Sequence, residues 1–465
     1  SSPRSQLIVT GGTNDTLNLS SGWVKQTTGT VNDSTATYNV YNHSTLNAQV
    51  LVQSGVSVGL SLTGQGVAGP MISTLNVDMY DTAGNLLKHT TTDVTGSFSV
   101  EGLSYRGSML IVMSDANGSL ADYKDEFSGA NVALSTNLRA VVDFTGAATD
   151  LSVTPLTELA TRLMAVTNTH APSATLATEI NSALATVFHV SDILGKATAV
   201  NDAVNSANGY GKMLGALSLM DTVFGDMNTA MDVLSRSVTL TTDASGHVTG
   251  ATIDSNIQSL LDLGNAAMTA YESASPNDVA GLAAAIGTIK EPAAHTSLGT
   301  ASGSTLTGTA DTDKIFALAG DDTIVHTAGA DLVFGGAGVD TYTLGATADQ
   351  TISLSSLYGV EKIDLTGSGN NALSLTLGSV LNNGATGLFV DGSNGWNFGS
   401  IATAGKVQLL VDGNAGDTVN KVDSASWTHL ASTVSSSAHT YDVYEATTNG
   451  ITAQLLIDHT TTRVL

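Results

Sequence analysis

The stretch GTADTDKIFALAGDDTIVHTAGADLVFGGAGVDTYT, residues 308 to 343, repeats one pattern every nine residues. Four aspartates recur in this phase without a slip: Asp313, Asp322, Asp331 and Asp340. A large apolar residue follows each aspartate by two positions: Ile315, Ile324, Val333 and Tyr342. So strict a phase indicates one structural unit repeated four times, each copy with one carboxylate and one large apolar side chain.

Glycines complete the repeat. The copy GGAGVDTYT, residues 335 to 343, satisfies every position of the nonapeptide G-G-x-G-x-D-x-U-x, in which U is a large apolar residue. The other three copies keep the aspartate and part of the glycine set, and the first has Asp311 where glycine is usual. On these residues the segment resembles the nonapeptides of the repeats-in-toxin (RTX) family, and the chain resembles large biofilm-associated adhesins and S-layer-type proteins of Gram-negative bacteria.

The resemblance implies a short parallel β-roll that binds Ca²⁺. Glycines let each turn reach positive φ and aim carbonyl oxygens at one point, while one aspartate per turn supplies charge to an ion that takes about six to eight oxygens. Alternate turns would stack and share ions, which pairs Asp313 with Asp331 and Asp322 with Asp340. The implied calcium-binding residues are Gly308, Asp311, Asp313, Gly320, Asp322, Gly329, Asp331, Gly335, Gly336, Gly338 and Asp340.

Two other interpretations of the stretch stay open at this point. The repeats could be Gly-Asp turns of an ordinary β domain, or a roll that has lost calcium and is held by packing alone. A further group of oxygens, Asp412, Asn414 and Asp417 in VDGNAGDTV, could also hold an ion. Ordinary turn chemistry is favoured there, because Thr10 and Gly12 replace the first two in a similar N-terminal segment.

The composition narrows the class of protein. The 465 residues include 16 Lys plus Arg against 41 Asp plus Glu, a net charge of -25, so nucleic acid and anionic membranes are unlikely partners and cations are favoured ones. The chain has no cysteine, which excludes disulfides and thiolate metal sites. No run of 18 apolar residues predicts a membrane-spanning helix. The opening residues SSPRSQ suggest a chain processed or cut from a longer one.

Two distant segments share the same landmarks in the same order. The N-terminal copy consists of QLIVTGGTNDTLNL at 6–19, Trp23, TYNVYN at 37–42 and AQVLV at 48–52. The C-terminal copy consists of QLLVDGNAGDTVN at 408–420, Trp427, TYDVYE at 440–445 and AQLLI at 453–457. Corresponding residues are offset by 402 to 405 positions, and the alternation of apolar and polar residues is typical of strands. The chain is therefore predicted to begin and end with one kind of β module.

The region between these modules changes character twice. Residues 65 to 150 alternate strands and turns and resemble a transthyretin-like, carboxypeptidase-regulatory β-sandwich. At Thr154-Pro155 a capping residue and a first-turn proline begin a helical pattern, with Glu158 favourable near the helix dipole. Further helices are predicted on Leu176 to Val187, Met213 to Leu234, Ile257 to Leu263 and after Ser275-Pro276, and TTDASGHVTGATI at 241–253 predicts a hairpin.

The predicted fold class is multidomain and mainly β. Five segments make up the prediction: an N-terminal β module (1–64), the transthyretin-like β-sandwich (65–150), a helical domain (151–295), a linker with the RTX β-roll (296–345) and a C-terminal β module (346–465). After Tyr342 strand alternation continues to the end, and both a β-solenoid and an elongated β-sandwich fit that pattern.

A catalytic motif is not evident in the sequence. The G-x-S-x-G match around Ser57 lies in the alternating run VSVGLSLTG, which predicts a strand in place of the strand-turn-helix that a nucleophile elbow requires. The histidines are scattered, and His326 in a roll turn is interpreted as a tolerated substitution. The methionines between Met213 and Met231 recur at helical spacing, which favours a core role over a binding groove.

The sequence thus predicts a secreted, non-enzymatic, calcium-binding surface protein without a membrane span, either an adhesin or a subunit of an S-layer or filament. Homo-oligomers or polymers through the terminal β modules are the expected assembly, and a surface glycan or other adhesion ligand is a possible partner. Type I secretion fits an unfolded acidic chain that folds on Ca²⁺, its only expected cofactor. The alternatives are an RTX-type secreted hydrolase, or a carbohydrate-binding module with exposed aromatics such as Trp396 or Tyr105.

Overall fold

A computed structural model gives the fold. It describes residues 4–464 apart from 13–14, 20–22, 34, 44, 104, 119, 146–150, 201–206, 274–294, 301, 346–348, 437–438 and 449. The chain is mainly β and forms two compact units, Ser1–Ser218 with Ser237–Thr288 and Leu219–Arg236 with Ile289–Leu465. The five predicted segments remain a prediction, although residues 219–236, which the sequence groups with the helical segment, belong to the second unit.

The first unit begins with the predicted N-terminal module. Its strands are β1 (Ser5–Val9), β2 (Thr16–Leu19), β3 (Trp23–Asn32), β4 (Thr37–His43), β5 (Ala48–Gln53) and β6 (Ser57–Gly66). One sheet has the order β1-β5-β4-β3, in which β1 and β5 are parallel, and β2 pairs in parallel with β6. Ser57 therefore begins a strand, as the alternation around it predicts, and it is not a nucleophile elbow.

The next strands of this unit complete two further four-stranded sheets. They are β7 (Leu75–Tyr80), β8 (Leu86–Thr91), β9 (Ser97–Leu103), β10 (Gly107–Asp115), β11 (Tyr123–Lys124), β12 (Asn131–Val132), β13 (Leu138–Phe144) and β14 (Leu151–Val153). One sheet has the order β13-β10-β7-β8, and β9 and β14 both pair with β6. The last strand of the predicted N-terminal module is thus shared with the segment that follows it, and the transthyretin-like assignment stays a prediction.

Helices and a hairpin follow in the order that the sequence predicts. They are α1 (Pro155–Leu163), α2 (Ala174–Val187), α3 (Gly209–Val223), α4 (Met227–Ser237), β15 (Val238–Thr242), β16 (Val248–Ile253) and α5 (Ser255–Ser273). Thr154 caps α1 as predicted, but Glu158 is buried and paired with Arg139 and Arg162 at 2.7 and 2.8 Å, so its role is an ion pair more than a dipole contact.

The helix predicted from Met213 to Leu234 is in fact two helices. Gly225 has φ +88° and ends the first, and the carboxylate of Asp226 accepts a hydrogen bond from Thr229 N at 2.7 Å to cap the second. Three of its four methionines are core residues, since Met220, Met227 and Met231 are buried, and Met213 is partly buried. The helix predicted after Ser275-Pro276 lies outside the described residues.

The second unit is a parallel β-solenoid with added strands. Its strands are β17 (Thr296–Thr300), β18 (Thr305–Thr307), β19 (Lys314–Leu318), β20 (Thr323–His326), β21 (Leu332–Phe334), β22 (Thr341–Leu344), β23 (Thr351–Ser353), β24 (Leu357–Tyr358), β25 (Lys362–Asp364), β26 (Ala372–Leu375), β27 (Ala385–Thr386), β28 (Trp396–Asn397), β29 (Val407–Asp412), β30 (Thr418–Lys421), β31 (Thr428–Ser436), β32 (His439–Thr448), β33 (Ile451–Asp458) and β34 (Thr462–Val464). A 3₁₀ turn (Leu354–Ser356) precedes β24, and α6 (Leu377–Asn383) follows β26.

Parallel pairing runs through three sheets of this unit. Strands β17-β19-β21-β24 form one sheet, β18-β20-β22-β25-β29-β33 a second, and β23-β26-β30-β34 a third, all in parallel register. Within the nonapeptides each residue pairs with the one 18 positions on, so two repeats make one coil. The four predicted inward residues, Ile315, Ile324, Val333 and Tyr342, are at most 3 % exposed and share one core.

The two terminal modules have the same topology but different neighbours. In the C-terminal module β29 and β30 take the places of β1 and β2, and they pair on their second edges with β25 and β26 of the solenoid. Within the described part of the chain, β1 and β2 have no strand on that edge. Leu7 and Ile8 are consequently 59 % and 60 % exposed, whereas their counterparts Leu409 and Leu410 are buried.

Candidate metal centre

The aspartates of the nonapeptides stack in pairs along the roll. The backbone N–H of Asp313 donates to Asp331 Oδ1 at 3.0 Å, and that of Asp322 donates to Asp340 Oδ1 at 2.7 Å. All four are at most 4 % exposed. These are the pairs that the resemblance to RTX repeats implies. They form because each coil places one aspartate above the turn of the coil before it.

The two stacks differ in their second carboxylate oxygens. We name the stack of Ser304, Asp322, Asp340 and Glu361 the Asp340 edge. Ser304 N donates to Asp322 Oδ1 at 2.6 Å, and Asp340 N donates to Glu361 Oε2 at 2.9 Å. The Oδ2 atoms of Asp322 and Asp340 are buried without any hydrogen-bond partner. Buried carboxylate oxygens without a partner are costly, so this edge has unused capacity for a ligand.

The other stack uses all of its oxygens. We name it the Asp331 edge, made of Asp313 and Asp331 with their partners Thr309 and His326. Asp313 Oδ2 accepts from Thr309 N at 2.5 Å and from Thr309 Oγ1 at 3.0 Å. Asp331 Oδ2 lies 3.1 Å from His326 Nδ1 in a buried contact. His326 is therefore a partner of Asp331, although its position in the repeat was interpreted as a tolerated substitution.

Glycines bring the turns of the Asp340 edge close together. Gly336 and Gly338 have φ of +113° and +143°, and a Cβ on either would lie 2.1 to 2.3 Å from a carbonyl oxygen of the neighbouring coil. A Cβ on Gly335 would meet Gly359 O at 2.1 Å and Asp340 Oδ2 at 2.6 Å. Backbone carbonyls and a carboxylate oxygen thus approach one another where no side chain intervenes.

The remaining predicted ligands are placed less uniformly. Gly320 and Gly329 have φ of +100° and +91° in turns of the roll, and Gly308 lies beside the carboxylates of Asp313 and Asp331. Asp311 is not brought into either edge: its side chain is 74 % exposed, and its Oδ2 lies 3.7 Å from His295 Nε2. Of the predicted carboxylates, Asp322 and Asp340 are the two with an unpartnered oxygen.

The acids of the Asp340 edge have raised pKa values. Burial raises the pKa of Asp340 to about 7, with the neighbouring carboxylate of Asp322 adding to the rise and the N–H of Asp322 opposing it. Burial likewise raises the pKa of Glu361 to about 8, and burial raises the pKa of Asp322. Each of two adjacent buried acids makes ionisation of the other less favourable. A bound cation makes the ionised forms favourable again.

Glu361 belongs to this edge but lies outside the four nonapeptides. The segment SLYGVEKID, 356–364, keeps glycine at the fourth position, an acid at the sixth and an apolar residue at the eighth. It follows the preceding repeat of the same edge by 21 residues, as the pairing of Tyr342 with Ile363 shows. Its signal in the sequence is the same spacing of glycine, acid and apolar residue, displaced by three inserted residues.

The donors of the Asp340 edge suit a hard cation. They are carboxylate and carbonyl oxygens, with no histidine or cysteine among them, which is the donor set that Ca²⁺ prefers over softer metals. The unpartnered Oδ2 atoms of Asp322 and Asp340 fit an ion held between successive turns. The residues that could hold it are Asp322 and Asp340, with carbonyls of the glycine turns.

Two other groups of polar residues are less suited. Both oxygens of Asp417 accept backbone N–H groups, from Asn371 at 2.7 Å and Asn414 at 2.8 Å, in accordance with ordinary turn chemistry. Asp412, His439 and Asp458 lie close enough to share a metal. Their atoms are already engaged, however: Asp412 Oδ1 accepts from Tyr441 at 2.7 Å, and His439 Nδ1 lies 2.9 Å from Asp458 Oδ2.

The aromatics considered for glycan binding are not exposed platforms. Trp396 is partly buried and packs against Phe389, Phe398 and Tyr441 in a hydrophobic cluster. Tyr105 is also partly buried, and its hydroxyl donates to Ser108 O at 2.8 Å. The prediction that these two residues are exposed is therefore wrong, because the first is needed to cover the outer face of β29.

No family model, curated protein or solved structure matches the chain. Among the described residues, no helix is both long enough and apolar enough to cross a membrane. The likeness to RTX nonapeptides therefore depends on the residues quoted above and on the geometry of the roll.

Proposed function

We propose that this chain is a secreted, non-enzymatic, calcium-binding structural protein of a bacterial cell surface. In this proposal the roll is a calcium-dependent joint, and the protein is either an adhesin stalk or a self-assembling S-layer or filament subunit. The observation that carries the proposal is the pair of buried, unpartnered Oδ2 atoms of Asp322 and Asp340, stacked in successive glycine turns.

Calcium would couple the folding of the roll to its environment. Without a cation, the stacked acids of the Asp340 edge must be buried either protonated or in mutual repulsion, both of which cost free energy. A cation that binds the folded roll and not the unfolded chain stabilises it by RT ln(1 + [L]/Kd). At a low calcium concentration the folded roll would have low stability, and at the higher concentration outside a cell it would be stable. This suits export of an unfolded chain.

The test of calcium binding is a titration of the full chain after treatment with EDTA. We expect Ca²⁺ to raise the midpoint of thermal unfolding, followed by far-UV circular dichroism, and Mg²⁺ at the same concentration to act much less because it demands a smaller octahedral site. A midpoint that is identical with EDTA and with millimolar Ca²⁺ would contradict the proposal.

Assembly is supported by the open edge of the N-terminal module. Strand β1 exposes Leu7 and Ile8 next to unpaired backbone groups, whereas a solenoid coil covers the equivalent strand β29. Open apolar edges of this kind readily pair with another strand. We propose that β1 pairs with a second copy of the chain, which would give dimers or polymers.

Light scattering with and without Ca²⁺ tests the assembly. We expect a particle mass above that of one chain, and a return to the monomer for Ile8→Lys, which places a charge on the edge. Leu86→Lys is the matched control, because Leu86 is also on a strand and 54 % exposed but lies in another sheet. A wild-type monomer indifferent to calcium would leave the adhesin stalk as the role and rule out self-assembly.

A further inference from the structure

We propose that Glu361 forms an additional cation site with Asp340, between the turn 335–340 and the turn 356–361, beyond the nonapeptide repeats. The inference rests on the proposed calcium-binding function, and it assigns a residue and a turn that lie outside the motif. It concerns a different pair of turns from the one that joins Asp322 to Asp340.

The ladder of hydrogen bonds continues unbroken from the motif to Glu361. Ser304 N donates to Asp322, Asp322 N to Asp340, and Asp340 N to Glu361 Oε2 at 2.9 Å. Glu361 is 3 % exposed, so it occupies the buried position that Asp322 and Asp340 have in the two coils before it.

Oxygens converge beside this step of the ladder. The Oδ2 atom of Asp340 is buried and has no hydrogen-bond partner, and Gly359 O approaches the same point next to Gly335. Gly335 N donates to Tyr358 O at 2.9 Å, which holds the two turns together. A carboxylate oxygen, a carbonyl oxygen and a second carboxylate therefore line one gap between turns, and a hard cation is the ligand that suits such a set.

In the described part of the chain this step has no ion pair, although the charge of Lys362 opposes the burial that raises the pKa of Glu361. Among the described residues no Lys, Arg or His forms an ion pair with Asp340 or Glu361. On the Asp331 edge, by contrast, His326 contacts the second oxygen of Asp331. Two buried carboxylates next to each other need a counter-charge, and a divalent cation supplies it.

A cavity of about 450 Å³ gives access to the site. Its wall includes Gly336, Gly338, Gly359 and Glu361 of the solenoid and two acids near or on α4, Asp226 and Asp232. The one basic residue in the lining, Arg236, donates two hydrogen bonds to Asn382 Oδ1 at 2.9 and 3.1 Å. The acidic lining favours entry of a cation over an anion.

The experiment counts calcium ions on the full chain by isothermal titration calorimetry and native mass spectrometry. Glu361→Gln keeps an acceptor for the N–H of Asp340 but removes the charge, and we expect it to bind one Ca²⁺ fewer than the wild type. Asp322→Asn removes a ligand of the neighbouring pair of turns and is the reference variant for that site. Glu101→Gln is the matched control, since Glu101 is exposed on β9 and should leave the count unchanged.

The outcomes separate this inference from the proposed function. A wild type that binds no Ca²⁺ would contradict both. A wild type that binds Ca²⁺, with an ion lost in Asp322→Asn but none lost or weakened in Glu361→Gln, would overturn only the site at Glu361. If circular dichroism shows that Glu361→Gln is unfolded, Glu361→Asp carries the test, because it keeps the charge and shortens the reach. An unchanged count and affinity in that variant would equally overturn the inference.

Discussion

The Asp340 edge and the Asp331 edge of the roll have the same residue type, the same 18-residue spacing and the same burial, yet they end in different chemical states. In each, Oδ1 accepts the N–H of the coil before. The second oxygen is partnered by Thr309 or His326 on one edge and by nothing on the other. The repeat sets where a carboxylate lies, and the residues around it decide whether it can accept a ligand.

The largest expected effect comes from neutralising one edge at a time. Asp322→Asn with Asp340→Asn should abolish the stabilisation by Ca²⁺, because both unpartnered oxygens disappear. Its stability without calcium should equal or exceed that of the wild type, since a buried charge is removed and the new amide can donate to the nearby carbonyl of Gly359. Thermal unfolding with EDTA and with Ca²⁺ measures both effects.

The matched double variant on the other edge should behave in the opposite way. Asp313→Asn with Asp331→Asn should keep the response to Ca²⁺ and lose stability without it. At Asp313 a neutral amide would keep one acceptor for the N–H of Thr309 but lose the negative charge that strengthens this hydrogen bond. Equal loss of the calcium response in the two double variants would mean that the edges are equivalent and that the comparison is wrong.

The resemblance to RTX repeats implied the pairing of the aspartates but not this difference. Spacing, glycine positions and the apolar residue two places after each aspartate are properties of the repeat. They predicted the inward residues, and the resemblance that they carry implied the pairs. The partner of the second oxygen depends instead on single residues at the start of a repeat. His326 reaches an aspartate five positions later, and only the folded turn brings its ring within 3.1 Å.

Two other features could not be predicted from the sequence, for related physical reasons. Glu361 was not predicted because three inserted residues break the nine-residue phase. The hydrogen bond from Asp340 N to Glu361 nevertheless continues the ladder. The helix predicted over Met213 to Leu234 has unbroken apolar spacing, so periodicity could not show that Gly225 and Asp226 end one helix and cap the next. In both places a local change in the backbone, an insertion in one and a helix end in the other, is not visible in the periodicity of the side chains.

A smaller effect is expected from removing the partner of Asp331. His326→Ala leaves Asp331 Oδ2 buried without a hydrogen bond and removes a ring that packs near Tyr342, with centroids 5.6 Å apart. Loss of a partner to a buried polar atom costs about 1–3 kcal/mol, and we expect a decrease of that size in the free energy of unfolding without calcium. Chemical denaturation in EDTA measures it.

The same variant should also make the Asp331 edge resemble the Asp340 edge. Ca²⁺ should then recover part of the lost stability, and the increment on adding calcium should be larger than in the wild type. His429→Ala is a suitable control, because its ring also contacts a buried aspartate, Asp442, but lies in the C-terminal module. A calcium increment that is unchanged in His326→Ala would show that the histidine does not occupy the place of a cation.

The smallest expected effect concerns Thr309, which gives Asp313 two hydrogen bonds of different kinds. Thr309→Val removes the hydroxyl but keeps the backbone N–H that donates to Asp313 Oδ2 at 2.5 Å. Asp313 Oδ2 therefore stays partnered, and only about 0.5–1.5 kcal/mol of stability should be lost, which denaturation in EDTA can resolve against the larger loss in His326→Ala. The hydroxyl also donates to Asp313 Oδ1 at 3.0 Å, but Oδ2 keeps its backbone donor, so the calcium increment should change much less than in His326→Ala. A larger calcium increment in Thr309→Val would mean that the hydroxyl, and not the backbone, keeps this edge closed to cations.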